Sequence, residues 1–383
     1  MIKTTKLKTI LGVNNRLSRH ALQTDVGQFV AAASNVDLDD TGRASRRSGF
    51  SEVSPLTTGR SLFSANGFTL FADGTELKSV VEFDPYAAVT VDTVAANKIS
   101  YAAVNDDIYY SDGVKLARLD RYGATHKVGI PVPASLSGAA IAGSLDGGRY
   151  QASITFFYDD IEGGAFSSIV VELSSTGGIR LTLPASPAGV TGIGVYVSSA
   201  NGDIPYWHST VAAGTETVDV TTRATGRQCL TELKGPLPAG GIVRHLLGRL
   251  LVADGSTLYY SDPYNFGLTT PARNYIQFAE DITIVRPCVN GVYVVAGTTY
   301  WFSGIGTPEQ SLLQTLPYGA VAGSDGEIPN AEKVFWLSEK GLVIADQTGQ
   351  AVNINESNLL LNLTGSGSAL FVEGNNRIVA TNG

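Results

Sequence analysis

One unit returns about every forty residues along this chain: an apolar strand, a tight turn built on glycine, and a second apolar strand. It reads Phe68-Thr69-Leu70-Phe71-Ala72-Asp73-Gly74 at its first appearance. It recurs over residues 108–116 around Asp112-Gly113, 250–260 around Asp254-Gly255 and 292–302 around Gly297. The last copies span 334–344 around Gly341 and 370–379 around Gly374-Asn375. Asp-Gly and Gly-Asn supply the positive φ that tight hairpin turns require. Asp73 to Asp112 is 39 positions and Asp254 to Gly297 is 43. That period matches the four-stranded blade of a β-propeller, in which each blade hides an apolar face against the next. The lengths before Pro131 and after Gly235 predict about five or six blades.

Composition points the same way. Only 16% of the 383 residues are charged, while there are 43 glycines, 16 tyrosines and 14 phenylalanines. Such a chain disfavours helices and favours short strands joined by tight turns. No stretch longer than about ten residues holds a capped i, i+3, i+4, i+7 apolar pattern. The expected fold class is all-β, on a chain long enough for a large core.

The repeat stops between Pro133 and Gly235, and both edges are marked by proline: Pro131-Val132-Pro133 going in, Pro236-Leu237-Pro238 coming out. Such segments stiffen a link and block continuation of a sheet. Between them, strands are expected over 150–158, 168–173, 178–183, 192–198 and 215–220. About seven short strands in this length fit an inserted immunoglobulin-like β-sandwich. The stretch Gly194-Val195-Tyr196-Val197-Ser198-Ser199-Ala200-Asn201-Gly202 resembles a strand of fibronectin type III-like domains, without the cysteine pair and strand tryptophan of antibody domains. The expected domains are an N-terminal arm and opening strand (1–50), a first propeller part (51–132), the sandwich (133–235) and a second propeller part (236–383).

Chemistry-bearing motifs are sparse. His20, His126, His208 and His245 are far apart, with no metal-ligand neighbours at the required spacing. No nucleophile elbow or phosphate-binding loop occurs. Asp37-Leu38-Asp39-Asp40-Thr41-Gly42 has the look of a calcium loop but lacks the later glutamate, and an ordinary turn accounts for it. Asp159, Asp160 and Glu162 fall on one expected hairpin tip, where a solvated turn is the default and a glycosidase carboxylate pair the competing reading. In the pairs Tyr109-Tyr110, Tyr206-Trp207, Tyr259-Tyr260 and Tyr300-Trp301, one ring is expected to face the core and the other outward. Tyr206 and Trp207 are the best candidates for a partner interface. The expectation is a non-enzyme with no cofactor and no metal.

Net charge is −8, with no basic stripe to track a phosphate backbone. The local cluster Arg43, Arg46 and Arg47 is expected to pair with carboxylates of a neighbouring element or subunit. An acidic wall can nevertheless line a DNA passage, because like charge prevents sticking. Cys229 and Cys288 are too few for a disulfide framework and are expected as free thiols in a reducing cytoplasm. The first eleven residues lack the apolar core of a signal peptide, and no apolar run reaches the length of a membrane span.

The N-terminal segment carries a family resemblance. It runs Gly12-Val13-Asn14-Asn15, then Ala33-Ser34-Asn35-Val36-Asp37, then Gly42-Arg43-Ala44-Ser45-Arg46-Arg47-Ser48-Gly49-Phe50. This order resembles the opening of tail nozzle or hub proteins of short-tailed bacteriophages. They share a glycine-asparagine opening, an A-x-N-V-D strand and a G-x-x-x-R-R-x-G-F turn before a β-propeller, and also carry an inserted sandwich between blades. The resemblance implies a virion structural protein: a homohexameric ring below the portal that retains the genome and conducts it outward. It also implies contacts with portal or adaptor proteins and with tail fibres or a needle, and assembly in the host cytoplasm. Within it Asn14, Asn15, Asn35, Arg43, Arg46 and Arg47 are the candidate interface residues. The alternatives are a peripheral receptor- or glycan-binding tail protein and, behind it, a propeller glycosidase.

Overall fold

A computed structural model describes residues 9–380 except 40, 48, 50, 51, 53–55, 84, 329, 330, 362, 364, 373 and 374. Residues 1–8, Asp40, Ser48, Phe50 and the Gly374 turn therefore lie outside the described residues. All regular structure among the described residues is β, as expected, and none is helical. The chain divides into two compact units, residues 57–277 and residues 1–56 with 278–383.

The 57–277 unit holds three four-stranded antiparallel sheets, each with its strands side by side in chain order. The first comprises Arg60–Ala65, Phe68–Asp73, Glu76–Phe83 and Tyr86–Thr93. The second comprises Ser100–Val104, Asp107–Ser111, Leu116–Leu119 and Thr125–Lys127. The third comprises Ile242–Leu246, Arg249–Asp254, Thr257–Tyr260 and Tyr275–Gln277. The hairpins expected from the repeat form the two central strands of each. Their glycines adopt the positive φ those turns need, +58° at Gly74 and +53° at Gly255.

Period-2 alternation stacks these sheets. Leu70, Ala72 and Leu77 of the first pack with Tyr101, Ile108, Tyr110 and Leu119 of the second. The opposite face of the second sheet, through Ala102, Val104, Tyr109 and Leu116, packs with Val243, Leu250 and Val252 of the third. Full burial of each such aliphatic side chain stabilises by about 1.5–3 kcal/mol. The second sheet is thus covered on both sides, which corrects one expectation: neither Tyr109 nor Tyr110 faces outward. A central sheet sandwiched between neighbours has no solvent face to offer.

Between the second and third sheets, residues 137–220 form two more sheets around one core. Ser137–Leu145, Gly177–Thr182 and Thr217–Val220 make the smaller one. In the larger, Gly148–Tyr158 is flanked by Ile169–Leu173 and Ile161–Glu162 on one side and by Gly192–Val197, then Tyr206–Ala212, on the other. Ile179, Leu181 and Val220 of the smaller sheet meet Ile154, Phe156, Val171 and Val195 of the larger.

The other unit carries two further four-stranded sheets. Ile284–Cys288, Gly291–Ala296, Thr298–Ser303 and Ser311–Leu316 form one; Gly326–Ile328, Lys333–Ser338, Gly341–Ala345 and Ala351–Asn353 form the other. Tyr293 lies between Trp301 and Trp336, at ring distances of 4.7 and 5.3 Å, in their common core. The last expected hairpin is the pair Gly367–Val372 and Asn375–Ala380. The N-terminal segment adds a parallel pair, Ile10–Val13 with Gln28–Val30, and a hairpin, Val36–Leu38 with Ala44–Arg46.

Candidate functional site

Asn14 and Asn15 are engaged within their own chain. Asn14 is buried, and its Oδ1 accepts the amides of Arg16 and Leu17 at 3.1 Å each while its Nδ2 donates to Asn358 Oδ1 at 3.3 Å. Asn15 clasps the Leu360 backbone from both sides, donating to its carbonyl at 3.0 Å and accepting its amide at 2.9 Å. Asn35 is exposed in the left-handed region, at φ +56°, where asparagine is tolerated. Its carbonyl accepts the Arg47 amide at 3.2 Å. Arg47 pairs with Asp37 at 2.7 Å, a carboxylate of the neighbouring strand, with both side chains half exposed. Arg43 and Arg46 are exposed.

In the acidic stretch, the Gly42 amide donates to the Asp39 carbonyl at 2.9 Å, closing a turn. Asp39 Oδ1 accepts the Thr41 and Arg43 amides at 3.0 and 2.9 Å and the Thr41 hydroxyl at 2.6 Å. The Thr41 hydroxyl and these amides hold its carboxyl below the ordinary range. Among the described residues no three His, Cys, Asp or Glu side chains gather as a metal site. Cys229 and Cys288 are free and buried, and burial pushes both thiols up, Cys288 to about 11.

Tyr206 and Trp207 begin a strand rather than a loop, each 37% exposed, and residues 226–229 hydrogen-bond along its outer side there. His208 is an extra residue between the Trp207–Tyr196 and Ser209–Val195 pairs, so a bulge turns Trp207 onto the Tyr196 side. A Cβ on Gly226 would lie 2.6 Å from Trp207 Cε3, so the indole rests directly on that glycine. The 159–162 tip divides. Asp159 and Asp160 are exposed in the turn, but Glu162 is not a solvated turn residue. Its carboxylate accepts Thr155 Oγ1 at 2.9 Å, the Tyr196 hydroxyl, and Arg227 Nη2 at 2.5 Å. Period-2 reading of a short hairpin gives no sign of this, because Arg227 arrives from 65 residues away.

A cleft of about 160 Å³ opens where the second sheet, the third sheet and the hairpin tip of the inserted sheets converge. Tyr109 and Phe266 meet edge to face at 5.3 Å in its lining. Burial pushes the Tyr109 hydroxyl up to about 12, against the opposing pull of Arg118. Arg118, Lys127, Tyr158 and Tyr264 also line it. An open depression of about 470 Å³ adjoins it through Lys127, Val128, Gly129 and Tyr158. Tyr264 is 83% exposed at φ +56°, an uncommon conformation for an aromatic residue. Its amide donates to the Gly248 carbonyl at 2.7 Å, and its ring sits where a Gly248 Cβ would come within 2.8 Å. Sequence reading missed this cleft because its walls come from three separate segments, within residues 109–130, 158–162 and 264–268. The one local signal was Tyr264 within a Pro-Tyr-Asn-Phe-Gly turn, between the third and fourth strands of a sheet.

No protein-family profile matches the chain, and no curated protein does. Among solved structures, PorZ of Porphyromonas gingivalis, a surface component of the type-IX secretion system, is 14% identical with a TM-score of 0.22. The match covers 82% of this chain but 40% of that one, so this chain spans well under half of PorZ. Kluyveromyces lactis Hsv2 is 10% identical, with a TM-score of 0.31 over 82% of this chain and 87% of its own. The WD40 domain of Neurospora crassa Pan2 is 8% identical, with a TM-score of 0.30 over 78% and 83%. At such identities and scores these likenesses transfer no activity and no partner.

Proposed function

We propose that this chain is a structural subunit of a short-tailed phage tail, a ring-forming nozzle or hub that sits below the portal. The observation that carries the reading is the order of its sheets. Four-stranded antiparallel sheets follow one another along the chain, and a two-sheet body interrupts them between the second and third. That is the order implied by the resemblance of the N-terminal segment. In this reading the four-stranded sheets are blades of a β-propeller, and residues 133–235 are a fibronectin type III-like insertion.

The ring is a homohexamer in this reading, touching portal or adaptor proteins above and fibres or a needle below. DNA passes without sequence-specific binding, and the acidic balance of the chain, −8 overall, disfavours its sticking. Electron microscopy of the virion tail with antibody against this chain tests the proposal. Label on a six-fold ring coaxial with the portal supports it, and label on peripheral spikes overturns it in favour of a receptor-binding tail protein. That second reading has one observation of its own, the exposed side chains of Tyr206 and Trp207 on a strand of the insertion.

A further inference from the structure

We infer that the cleft between Tyr109, Lys127, Tyr158, Tyr264 and Phe266 binds an anionic oligosaccharide. The inference stands whether or not the chain is a nozzle subunit.

The aromatic part of the argument concerns Tyr264. An exposed tyrosine on a flexible loop has little meaning, but this one is fixed. Its backbone holds a left-handed conformation and is bonded to Gly248, and its ring is seated on the bare α-carbon of that glycine. Residues held at positive φ against their preference cluster at ligand sites, where the surrounding fold stabilises them. Tyr158 stands in the same lining, with Tyr109 and Phe266 beside it. Tyrosines offer a flat apolar face together with a hydroxyl, which suits a pyranose ring having apolar C–H faces and polar edges.

Charge selects the kind of saccharide. Arg118 is paired with Asp107 at 3.1 Å and Glu162 with Arg227 at 2.5 Å, so both are neutralised. Lys127, whose Nζ donates to the Ala188 carbonyl at 3.3 Å, has no ion pair among the described residues. The cleft therefore carries one surplus cation in a protein of net charge −8, and a carboxylate-bearing sugar complements it. One surplus cation is too few for a nucleic-acid track, which needs a charge at successive phosphates.

Shape argues for an oligomer. The cleft continues past Lys127 and Tyr158 into the larger depression, whose lining adds Asp92 and His126. A single small molecule would leave that depression empty, whereas a chain of two or three sugars would run from one into the other.

The test titrates the full-length protein with oligogalacturonate and with a neutral glucan of the same length, following binding by calorimetry. Saturable binding of the acidic oligomer, at least about tenfold tighter than the neutral one, is expected. Lys127→Gln should abolish that preference, and Tyr264→Asn, which keeps a residue tolerant of positive φ, should weaken both by about tenfold. Unchanged thermal unfolding confirms that both variants fold. Absence of saturable binding to either oligomer, or wild-type binding by both folded variants, overturns the inference. Tighter binding of an acidic peptide or of single-stranded DNA with the same dependence on Lys127 and Tyr264 overturns the saccharide class.

Discussion

Lys234 Nζ and Asp262 Oδ2 lie 2.5 Å apart, joining the segment that leaves the inserted sheets to the third four-stranded sheet. Around the pair, Asp262 Oδ1 accepts Asn274 Nδ2 at 2.8 Å, and the Asp262 amide donates to the Leu268 carbonyl at 2.9 Å. The Leu237 amide donates to the Gly267 carbonyl at 3.0 Å, and Gly235 and Pro236 pair with Thr269 and Leu268. The proline-marked exit from the insertion is thus a bonded seam. The aspartate is buried and the lysine only partly so, and the two should respond differently to removal.

Asp262→Ala leaves Lys234, Asn274 and Thr270 without their acceptor in a mostly buried site. A loss of roughly 3 kcal/mol is expected. Lys234→Met leaves the carboxylate to its neutral donors and keeps the apolar stem, so a loss below about 1.5 kcal/mol is expected. Guanidinium unfolding of both variants measures this. Equal losses would mean that the ion pair, rather than the hydrogen-bonded aspartate, holds the seam.

Gly164 lies on the same seam, and a Cβ there would sit 2.2 Å from the Lys234 carbonyl oxygen. Backbone cannot give way as a flexible side chain would, so Gly164→Ala should destabilise by about 1–3 kcal/mol. Gly241 has no atom within 4 Å of its would-be Cβ, and Gly241→Ala should fall within about 0.5 kcal/mol of wild type or slightly above it. Thermal melts of the pair compare the two sites directly.

Acid should unfold the 57–277 unit through two carboxylates. At Asp112 burial opposes ionisation, but the amides of Ala95, Val114 and Lys115 all donate to it and hold its carboxyl below the usual 3.8. At Asp262 burial again opposes, and Lys234 and Asn274 outweigh it in the same direction. A folded-state pKa below the unfolded one means that the unfolded chain takes up protons first as pH falls. The stabilisation is therefore complete above the ordinary carboxylate range and disappears as pH falls below about 4. Urea midpoints from neutral pH downward should drop more steeply in wild type than in Asp112→Asn. An unchanged slope would assign the acid sensitivity to other groups.

Much of the sheet architecture was legible because its signal is local. Asp73-Gly74, Asp112-Gly113 and Asp254-Gly255 each dictate a hairpin from adjacent residues, and the strands around them alternate. What failed to show was anything depending on which sheet comes next. Tyr109 and Tyr110 look alike in sequence as one inward and one outward ring, yet each faces a different sheet. Glu162 reads as a turn residue until Arg227 and Tyr196 are brought to it. The cleft at Tyr264 is invisible for the same reason, since Tyr264 and Phe266 meet Tyr109, Lys127 and Tyr158 only once the sheets are assembled.

The N-terminal segment gives the sharpest difference between pattern and fold. As an arm reaching for a neighbouring subunit, residues 1–40 should be removable without harm to the propeller. Asn14 and Asn15 instead make hydrogen bonds to Asn358 and Leu360, while Arg16 Nη1 donates to the Glu356 carbonyl. Each such bond contributes about 0.5–1.5 kcal/mol, and a buried asparagine leaves unpaired donors and acceptors when removed. Asn15→Ala strips the Leu360 amide of its acceptor, so hydrogen exchange at that amide should accelerate by roughly tenfold, with exchange in the Leu250–Leu258 core unchanged. Deletion of residues 1–40 should lower the unfolding temperature of the unit they share with residues 278–383. If Leu360 exchanges at the same rate in wild type and Asn15→Ala, the clasp does not hold in solution and the segment is free to serve as an arm.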